Sequence, residues 1–324
     1  MAAALYTASA TIAEAHEDDI WHACWVPGKH QLASAGSDET VKIWDAQSGE
    51  CVSTLKDGDH AITSLDIDPQ GAQALTASMD HKLRVWDLGS GSGQEGARPA
   101  QVIDAGPINA WKARFVRRRG GEGAGDAGPL IAASSGHGVV TLWSAASGRK
   151  VRELNTSRPK FLYALAASGD GAKVACAGAG GQVCVFDTES GAMSCTFSGH
   201  SDNVRSVAFS ADSALLVTAS DDKQIQLHDT RHGSPVATFL GHYGWVLSAE
   251  LHPGGMYIAS GSVDTKVKIW DVAQRACVET HDQHTQAVWS VAWQRSSDEA
   301  AATRPMLASV SEDRSISIYD PLLA

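Results

Sequence analysis

Short segments with apolar residues at alternate positions, or in continuous runs, recur along the whole chain and are separated by polar turns. Between residues 199 and 240 the pattern predicts four strands, at 204–210, 214–220, 224–229 and 235–240. Strands this short cannot bury a face alone. We therefore expect the four to form one twisted sheet that stacks on similar sheets.

The same unit occurs seven times. An aromatic residue or a histidine, followed by Asp or Ser, ends the third strand of each unit, at positions 44, 86, 143, 186, 228, 270 and 319. Four of the six spacings are 42 or 43 residues, and longer loops enlarge the second and the sixth to 57 and 49 residues. The repeats cover 16–57, 58–104, 105–155, 156–198, 199–240, 241–282 and 283–324. This spacing predicts an all-β chain that folds as a single seven-bladed β-propeller.

Both ends of the chain are expected to belong to one blade. Residues 4–13 alternate like a strand but precede the first unit, whereas the chain ends at residue 324, shortly after the third strand of the seventh unit. We expect the segment 1–15 to supply the missing fourth strand of the last blade. Closing the ring in this way removes two exposed sheet edges.

Five units share a set of polar residues at constant spacing. A Ser or Thr precedes an Asp by four residues, and the Asp precedes an aromatic residue or His by six. The sets with tryptophan are His16, Ser34, Asp38 and Trp44; His60, Thr76, Asp80 and Trp86; and His242, Ser260, Asp264 and Trp270. The sets without tryptophan are His200, Thr218, Asp222 and His228, and His284, Ser309, Asp313 and Tyr319.

His, Ser and Asp are also the parts of a nucleophilic triad. An active site is needed once, however, whereas a hydrogen-bonded chain that ties the third strand to the loop entering the first is useful in every blade. We interpret the sets as structural and predict no catalytic residue. In units three and four, Ala133 and Cys176 replace the Ser or Thr, and His137 and Gly180 replace the Asp. We expect those two blades to be less rigid or to be held by packing.

Three insertions interrupt the period, at 89–99, 116–129 and 294–305. Their composition is typical of flexible, solvated loops. All three fall in connections between the first and second strands or the third and fourth strands, which lie on one rim of a propeller. The opposite rim is expected to be undecorated.

Composition narrows the class of ligand. A net charge of −11 argues against direct nucleic-acid binding, which needs a basic face. The N-terminus lacks the features of a signal peptide, and no apolar run approaches membrane-spanning length, so we expect a soluble intracellular protein.

The six cysteines occur singly within strand patterns, and we interpret them as buried free thiols. His281 and His284 lack further ligands for a metal site, and no cofactor is expected.

The start of each first strand is expected to face the central opening on the undecorated rim. The side chains aligned there are mostly aromatic: Trp21, Trp111, Phe161, Tyr163, Arg205, Trp245, Leu247 and Trp289. One interpretation is that some of these rings pack between blades as core. Taken together they predict a concave aromatic cup, a kind of surface that marks protein–protein sites. Acidic residues beside it, among them Asp19 and Glu312, indicate a short peptide ligand with apolar anchors and a basic residue, preferably Arg.

The chain resembles the WD-repeat β-propeller family over its whole length, both in the spacing of its units and in the residue types that recur within them. Four segments carry a narrower resemblance: AHEDDIWHACW (15–25), IDAGPINAW (103–111), LLVTASDDKQIQLHD (215–229) and GHYGWVLS (241–248). They look like the WD-repeat subunit shared by the superkiller complex of RNA decay and the RNA polymerase II-associated factor complex. The DAGPINAW segment is the most telling because it stands where an ordinary WD repeat places Gly-His.

The resemblance implies a non-catalytic scaffold of nucleus and cytoplasm that is a monomer outside its complexes. In the superkiller complex it would lie against the tetratricopeptide subunit and help to deliver RNA through a helicase to the exosome. In the polymerase-associated complex it would be a peripheral subunit linked to elongation and histone modification. This family docks short segments containing Gln-Arg followed by apolar residues on one propeller face, which agrees with the cup. The insertions depart from the family's compact loops and leave open a further contact on the other rim.

Two alternatives from other classes stay open. A histone-tail or degron reader of another WD-repeat complex would use the same cup, and only the identity of the partner distinguishes it. A propeller enzyme would need a unique set of polar residues that converges on the central channel. The sequence shows repeated structural sets, which favours a scaffold.

Overall fold

The computed structural model describes residues 5–89, 98–107, 110–118, 128–295 and 305–322. In these residues the chain forms 28 β-strands and no helix. Most residues of the predicted insertions 89–99, 116–129 and 294–305 lie outside the described residues. Within the described part of the chain, no helix has the length and apolar character needed to cross a bilayer.

The strands follow the order of the predicted units, with four strands to a sheet. A first strand, β1 (Tyr6–Ile12), precedes blade 1, which contains β2 (Ile20–Trp25), β3 (Gln31–Gly36), β4 (Val41–Asp45) and β5 (Cys51–Leu55). Blade 2 contains β6 (Ile62–Ile67), β7 (Gln73–Ser78), β8 (Lys82–Asp87) and β9 (Gln101–Asp104). Blade 3 contains β10 (Ala113–Val116), β11 (Leu130–Ser134), β12 (Val139–Ser144) and β13 (Lys150–Asn155).

The remaining blades repeat this order. Blade 4 contains β14 (Leu162–Ala167), β15 (Lys173–Gly178), β16 (Gln182–Asp187) and β17 (Met193–Ser198). Blade 5 contains β18 (Val204–Phe209), β19 (Leu215–Ser220), β20 (Gln224–Asp229) and β21 (Ser234–Leu240). Blade 6 contains β22 (Val246–Leu251), β23 (Tyr257–Ser262), β24 (Val267–Asp271) and β25 (Ala276–His281). Blade 7 contains β26 (Val288–Trp293), β27 (Leu307–Ser311) and β28 (Ile316–Pro321).

The seven sheets close into a ring. Each sheet has four antiparallel strands, in sequence order from the inside outwards except in blade 7, where β1 is outermost. The innermost strands contact one another around the circle from β2 through β6 to β26 and back to β2. The seven-bladed propeller that the sequence predicts is therefore confirmed.

The N-terminal strand completes the last blade, as predicted. β1 pairs antiparallel with β28, from Tyr6 opposite Pro321 to Ile12 opposite Ile316. The carboxylate of Glu279 in blade 6 accepts hydrogen bonds from the backbone N–H groups of Leu5 and Tyr6, at 3.2 and 3.1 Å. The first strand is thus fixed to two blades, which leaves the ring without an open edge at this junction.

Apolar side chains between adjacent sheets form the core. Between blades 5 and 6, for example, Val217 and Phe239 pack with Ile258 and Trp270, all of them buried. Burying one such side chain stabilises the fold by about 1.5–3 kcal/mol. Because each blade has such a layer on both faces, the ring as a whole is expected to set the stability of any one blade.

The predicted polar sets form hydrogen-bonded chains in blades 1 and 6. In blade 6, His242 Nδ1 lies 2.8 Å from Asp264 Oδ2, its Nε2 lies 2.7 Å from Ser260 Oγ, and the indole of Trp270 donates to the same Oγ at 2.8 Å. Blade 1 repeats this geometry within 0.1 Å, with distances of 2.8, 2.6 and 2.8 Å. Burial raises the pKa of Asp38 in blade 1, but hydrogen bonds from His16 and Thr40 outweigh it and lower the pKa to about 2.

Blades 5 and 7 keep the hydrogen-bonded set of side chains, but its last residue is not tryptophan. Thr218 Oγ1 lies 2.8 Å from His200 Nε2 and 3.3 Å from His228 Nε2. In blade 7, Ser309 Oγ lies 2.7 Å from His284 Nε2 and 3.1 Å from the hydroxyl of Tyr319. His228 therefore takes the tryptophan's place but makes a longer contact.

Blade 2 departs from the predicted set, and the assignment of His60 to it was wrong. His60 is exposed and, among the described residues, makes no hydrogen bond to Thr76, whose partner from the set is the indole of Trp86 at 3.0 Å. The guanidinium of Arg84 fills the histidine's role by donating to Asp80 at 2.6 Å and to Ser78 Oγ at 2.7 Å. Arginine outcompetes the imidazole here because its planar fork reaches several acceptors at once.

Blades 3 and 4 have no such chain. In blade 3 the buried Ala133 cannot accept a hydrogen bond, and the buried indole nitrogen of Trp143 has no partner among the described residues. Hydroxyl groups hold the turns here, since Thr156 Oγ1 donates to the carbonyl of Gly138 at 2.8 Å. In blade 4 the buried Cys176 packs in the apolar cluster with Phe186. Packing and local turn contacts thus replace the polar chain in both blades.

The cysteines are all free, but only two of them are fully buried. Cys176 and Cys184 lie in the core, whereas Cys51 and Cys277 are exposed on outermost strands. The interpretation of all six as buried thiols was therefore wrong for this pair. The exposed sulfurs arise because the outermost strand of a blade has no neighbouring strand to cover its face.

Candidate functional site

A β-bulge at the start of the innermost strand positions the predicted rim residues. In six blades the pairing of the first and second strands shifts by one residue directly after the first pair. The side chains at these bulges are those of Trp21, Thr63, Tyr163, Arg205, Leu247 and Trp289. A bulge redirects a side chain away from the normal alternation. The local backbone therefore accounts for the unusual residues at this position.

Arg205 is a polar side chain of this rim that an ion pair holds in place. Its Nε and Nη2 donate to the two carboxylate oxygens of the buried Asp221 at 2.8 and 2.7 Å, and this pairing raises the pKa of Arg205. The guanidinium lies over the ring of Tyr163, 4.5 Å from its centroid, and 5.6 Å from the centroid of Trp245. An arginine fixed by a bidentate carboxylate holds both rings in place.

The aromatic series continues from Tyr163 into blade 3. The rings of Tyr163 and Phe161 stack with centroids 4.8 Å apart, and Phe161 meets Trp111 edge-on at 5.2 Å. Phe161 is placed by Gly178, where an added Cβ would lie 1.9 Å from the Phe161 carbonyl oxygen. One continuous arc of side chains therefore runs from Trp111 in blade 3 to Trp245 in blade 6.

A second arc lies at the junction of blades 7 and 1. The rings of Trp21 and Trp289 are 6.2 Å apart and tilted by 50°. Both are partly buried, and neither indole nitrogen has a hydrogen-bond partner among the described residues. We refer to Trp21, Trp111, Phe161, Tyr163, Trp245 and Trp289 together as the aromatic cup.

Leu247 does not belong to the exposed surface. It is 7% exposed, so its assignment as a peptide-binding residue was wrong, and the structure places it in the core below Trp245. Trp245 has an exposed fraction of 50%, the largest among the tryptophans. An apolar side chain at the bulge of blade 6 packs inward, and the preceding ring takes its place at the surface.

Acidic groups lie beside the second arc. Asp19 is held against Gly36, where a Cβ would lie 1.9 Å from the Asp19 carbonyl oxygen. Burial and the nearby charges of Glu312 and Asp18 raise the pKa of Asp19. A carboxylate that feels other carboxylates in this way favours a cationic ligand group. Asp221, in contrast, is already occupied by Arg205.

One exposed ring at this rim was not predicted. Tyr243 has an exposed fraction of 87% and precedes Trp245 by two residues. Its backbone N–H donates to Asp264 at 2.8 Å, so the polar set of blade 6 fixes the loop that carries it. The signal in the sequence is GHYGW, in which an aromatic residue follows the Gly-His that starts the unit.

The central channel holds charged residues that the sequence pattern did not single out. They are His22, Asp66, Lys112, Arg114, Glu250 and Arg295, and the thiol of Cys24 lies among them. Their proximity is visible in the mutual electrostatic effects on the pKa values of Cys24, Asp66 and Arg295. The repeated sets found in the sequence therefore do not account for all the polar residues inside the ring. For the residues on first strands, the available signal is a charged residue where other units place Ser or Ala; Arg295 lies after β26 and carries no such signal.

The residues of the cup are suited to binding rather than to covalent chemistry. Rings, a fixed guanidinium and a carboxylate pair can hold apolar and cationic side chains. Among the described residues, no group of three or more His, Cys, Asp or Glu side chains is arranged to hold a metal ion.

Comparison with known proteins identifies the repeat. The family model "WD domain, G-beta repeat" matches residues 8–45, 49–87, 191–229, 233–271 and 275–320. These matches cover blades 1, 2, 5, 6 and 7, the blades in which the third strand is tied to a Ser or Thr by a hydrogen bond. Blade 3 and the first three strands of blade 4, which lack that chain, lie between the second and third matched segments.

Three similar proteins come from plant, fluke and mouse. The WD repeat-containing protein VIP3 of Arabidopsis thaliana is 33% identical over 216 residues, which is 61% of this chain and 63% of VIP3. The WD repeat-containing protein SL1-17 of Schistosoma mansoni is 28% identical over 211 residues, 63% of this chain and 64% of that protein. Protein Atg16l2 of Mus musculus is 31% identical over 80 residues, 24% of this chain and 13% of that protein. The aligned region thus spans just under two thirds of the first two relatives.

Proposed function

Because the chain belongs to the WD-repeat family of β-propellers, we propose that it is a non-catalytic scaffold that holds short, extended segments of partner proteins in the aromatic cup. Propellers of this family typically serve protein interaction. The observation that carries the proposal is Trp245, a half-exposed ring held in place by Arg205, with the exposed Tyr243 beside it. Fixed tryptophan, tyrosine and arginine side chains are the ones that contribute most binding energy at protein interfaces.

The carboxylates beside the aromatic cup favour a ligand with a basic residue. Asp19 and Glu312 offer carboxylates at the second arc, whereas Arg205 is neutralised by Asp221. A segment with a basic residue next to apolar residues would place the base against Asp19 and Glu312 and the apolar groups on the rings. This is the Gln-Arg type of segment that the resemblance implies.

We propose that the complexes are those implied by the four resembling segments. The chain would act in the superkiller complex beside its tetratricopeptide subunit, and in the RNA polymerase II-associated factor complex, in cytoplasm and nucleus respectively. Three of those segments, AHEDDIWHACW, IDAGPINAW and GHYGWVLS, contain the cup residues Trp21, Trp111 and Trp245. The residues that support this assignment are therefore partly the residues that form the site.

Affinity purification followed by mass spectrometry tests the proposal. The tagged wild type should retain subunits of one or both complexes, and the double variant Tyr243→Ala, Trp245→Ala should lose them. Met256→Ala is the matched control, because Met256 is 56% exposed in the first-to-second strand connection of blade 6 on the opposite rim. Retention of histone tails or degron proteins instead would favour the alternative reader, and equal retention by both variants would exclude the cup.

A further inference from the structure

Basic side chains from two blades meet inside the central channel. Lys112 Nζ contacts His22 Nε2 and donates a hydrogen bond to the carbonyl of Thr63 at 3.2 Å. Blades 1 and 3 are not neighbours, since β2 borders β6 and β26 whereas β10 borders β6 and β14. A contact between their side chains therefore crosses the opening inside the ring. Arg114, two residues after Lys112, reaches from the same blade toward blade 2.

No carboxylate neutralises these basic groups by direct contact. Arg114 Nη1 donates to Ser64 Oγ and to the carbonyl of Leu65, at 3.2 and 3.1 Å. Its Nε and Nη2 make no hydrogen bond to any described residue. Asp66 is close enough to feel the charge of Arg114, but its Oδ2 accepts from the backbone N–H of Phe115 at 2.8 Å, and the two form no ion pair. Half of the guanidinium fork is thus left open.

Elsewhere in the channel the charges are paired. Glu250 accepts from Arg295 at 3.2 Å and from the backbone N–H of Trp293 at 2.9 Å. The first strands of blades 5 and 7 place serines at the position of His22, and Ser206 Oγ bonds the backbone of Ala249. Among the described residues, the unneutralised positive charge is confined to the side of the channel formed by blades 1 to 3.

The surroundings of this cluster disfavour the charged forms of its members. Burial and the charge of Arg114 hold the pKa of Lys112 well below its usual range. Burial, Lys112 and Arg114 do the same to the pKa of His22. Each group is destabilised in its charged form by the next, which a bound negative charge would reverse.

We propose that His22, Lys112 and Arg114 form a binding site for a compact oxyanion of the phosphate class. The open guanidinium edge fits two oxygens of a phosphate group, the ammonium supplies a point charge, and the imidazole of His22 positions that ammonium. A dianion balances Lys112 and Arg114 together. His22 and Lys112 directly follow the cup residues Trp21 and Trp111, so the site lies immediately below the aromatic cup.

The phosphate group can come from two sources, free inorganic phosphate or a phosphorylated side chain of a segment docked in the cup. Titration of the full chain with inorganic phosphate, and separately with N-acetyl-O-phosphoserine amide, at constant ionic strength in chloride, distinguishes them. Isothermal titration calorimetry measures the affinity for each probe. Binding of both probes indicates a site open to a phosphorylated segment, and binding of inorganic phosphate alone indicates a free anion. Either result supports the site.

Substitutions at Lys112 and Lys29 test where the phosphate group binds. Lys112→Met should weaken it by at least about tenfold, since it removes one charge-assisted contact. Lys29→Met, an exposed lysine in a turn of the opposite rim, should leave it unchanged. Because Lys112 is an unneutralised cation, Lys112→Met is expected to fold, and Lys112→Arg should retain binding if Met disturbs the channel. No binding of either probe by the wild type, or equal binding by the Lys112 and Lys29 variants, would overturn the proposal.

The phosphate site in the channel and the peptide site in the aromatic cup can be tested separately. Trp245→Ala should abolish segment capture and leave inorganic phosphate binding intact, because Trp245 lies in blade 6, away from blades 1 to 3. Loss of phosphate binding in Trp245→Ala with unchanged folding would contradict the placement of the anion in the channel.

Discussion

The guanidinium of Arg84 lies against the carboxylate of Asp80, with Nη2 and Oδ2 2.6 Å apart. In the other four blades that keep the polar set, a histidine makes this contact with the aspartate. Arg84 also donates from Nε to Asp57 at 2.8 Å. Burial raises the pKa of Asp80, but the hydrogen bonds from Arg84 and Ser78 outweigh it and lower the pKa to about 2. Blade 2 therefore depends on an ion pair where its neighbours depend on an imidazole.

Arg84→Met should lower the free energy of unfolding by about 2 kcal/mol. The loss is smaller than for a fully buried pair because the side chain of Asp57 is 42% exposed and stays hydrated. Chemical denaturation of the variant and the wild type measures the difference.

His60→Ala provides the matched test in the same blade. His60 is exposed and outside the set, so its removal should change stability by less than about 0.5 kcal/mol. His242→Ala in blade 6 should cost about 2–3 kcal/mol, because it leaves Ser260 and Asp264 without their shared partner. Equal losses for His60→Ala and His242→Ala would show that His60 does join the set.

Ala133→Ser should stabilise blade 3. Ala133 lies ten residues before Trp143, the same spacing that separates Ser34 from Trp44, and the indole nitrogen of Trp143 is buried without a partner among the described residues. A hydroxyl at this position can accept that N–H, a gain of about 1 kcal/mol. Thermal and urea unfolding of Ala133→Ser measure it. A decrease in stability would mean that the core around Ala133 has no room for one more atom.

Stability should depend on pH through His228. Burial and the nearby His200 lower the pKa of His228 to about 4. The unfolded chain takes up this proton near pH 6.5, but the native state does not until about pH 4, so the unfolded state binds more protons between these values. His228 thus contributes its full stabilisation above about pH 6.5, and stability falls by up to about 1.4 kcal/mol per pH unit below it.

Unfolding free energies of the wild type and of His228→Phe, measured between about pH 7 and 5, isolate this proton. The variant should show the smaller slope, since phenylalanine keeps the stacking on Phe197 and cannot be protonated. Identical slopes would place the titrating group elsewhere.

Asp19→Asn should weaken the capture of a basic segment by about two- to fivefold, because the carboxylate is only partly buried. The loss should shrink as salt is raised, since screening already weakens the wild-type contact. Binding measured at low and high salt checks both points. An unchanged affinity at low salt would remove Asp19 from the site.

Much of the fold could be predicted from spacing alone. The number of blades and the closing role of residues 1–15 depend on local patterns that repeat along the chain. The pairing of Arg84 with Asp80 could not be predicted, because it depends on which side chain reaches the acceptor once both are in place. Spacing also gave no sign that Leu247 packs inward, since a bulge can turn its side chain to either side.

The channel cluster lies furthest from what a sequence pattern can show. His22 and Lys112 are 90 residues apart and meet only when the ring closes. Each lies within a strand that looks ordinary by itself. Only the positions of the blades around the ring bring the two charges together.

The most direct test of the cup is the affinity of a labelled peptide containing Gln-Arg followed by apolar residues, measured by fluorescence anisotropy against the wild type and Trp245→Ala. Trp245 is the half-exposed ring held over Arg205, so its removal should weaken binding by at least about tenfold. Met256→Ala should bind as the wild type does. Equal affinity of Trp245→Ala and wild type for the peptide would contradict a binding site in the aromatic cup.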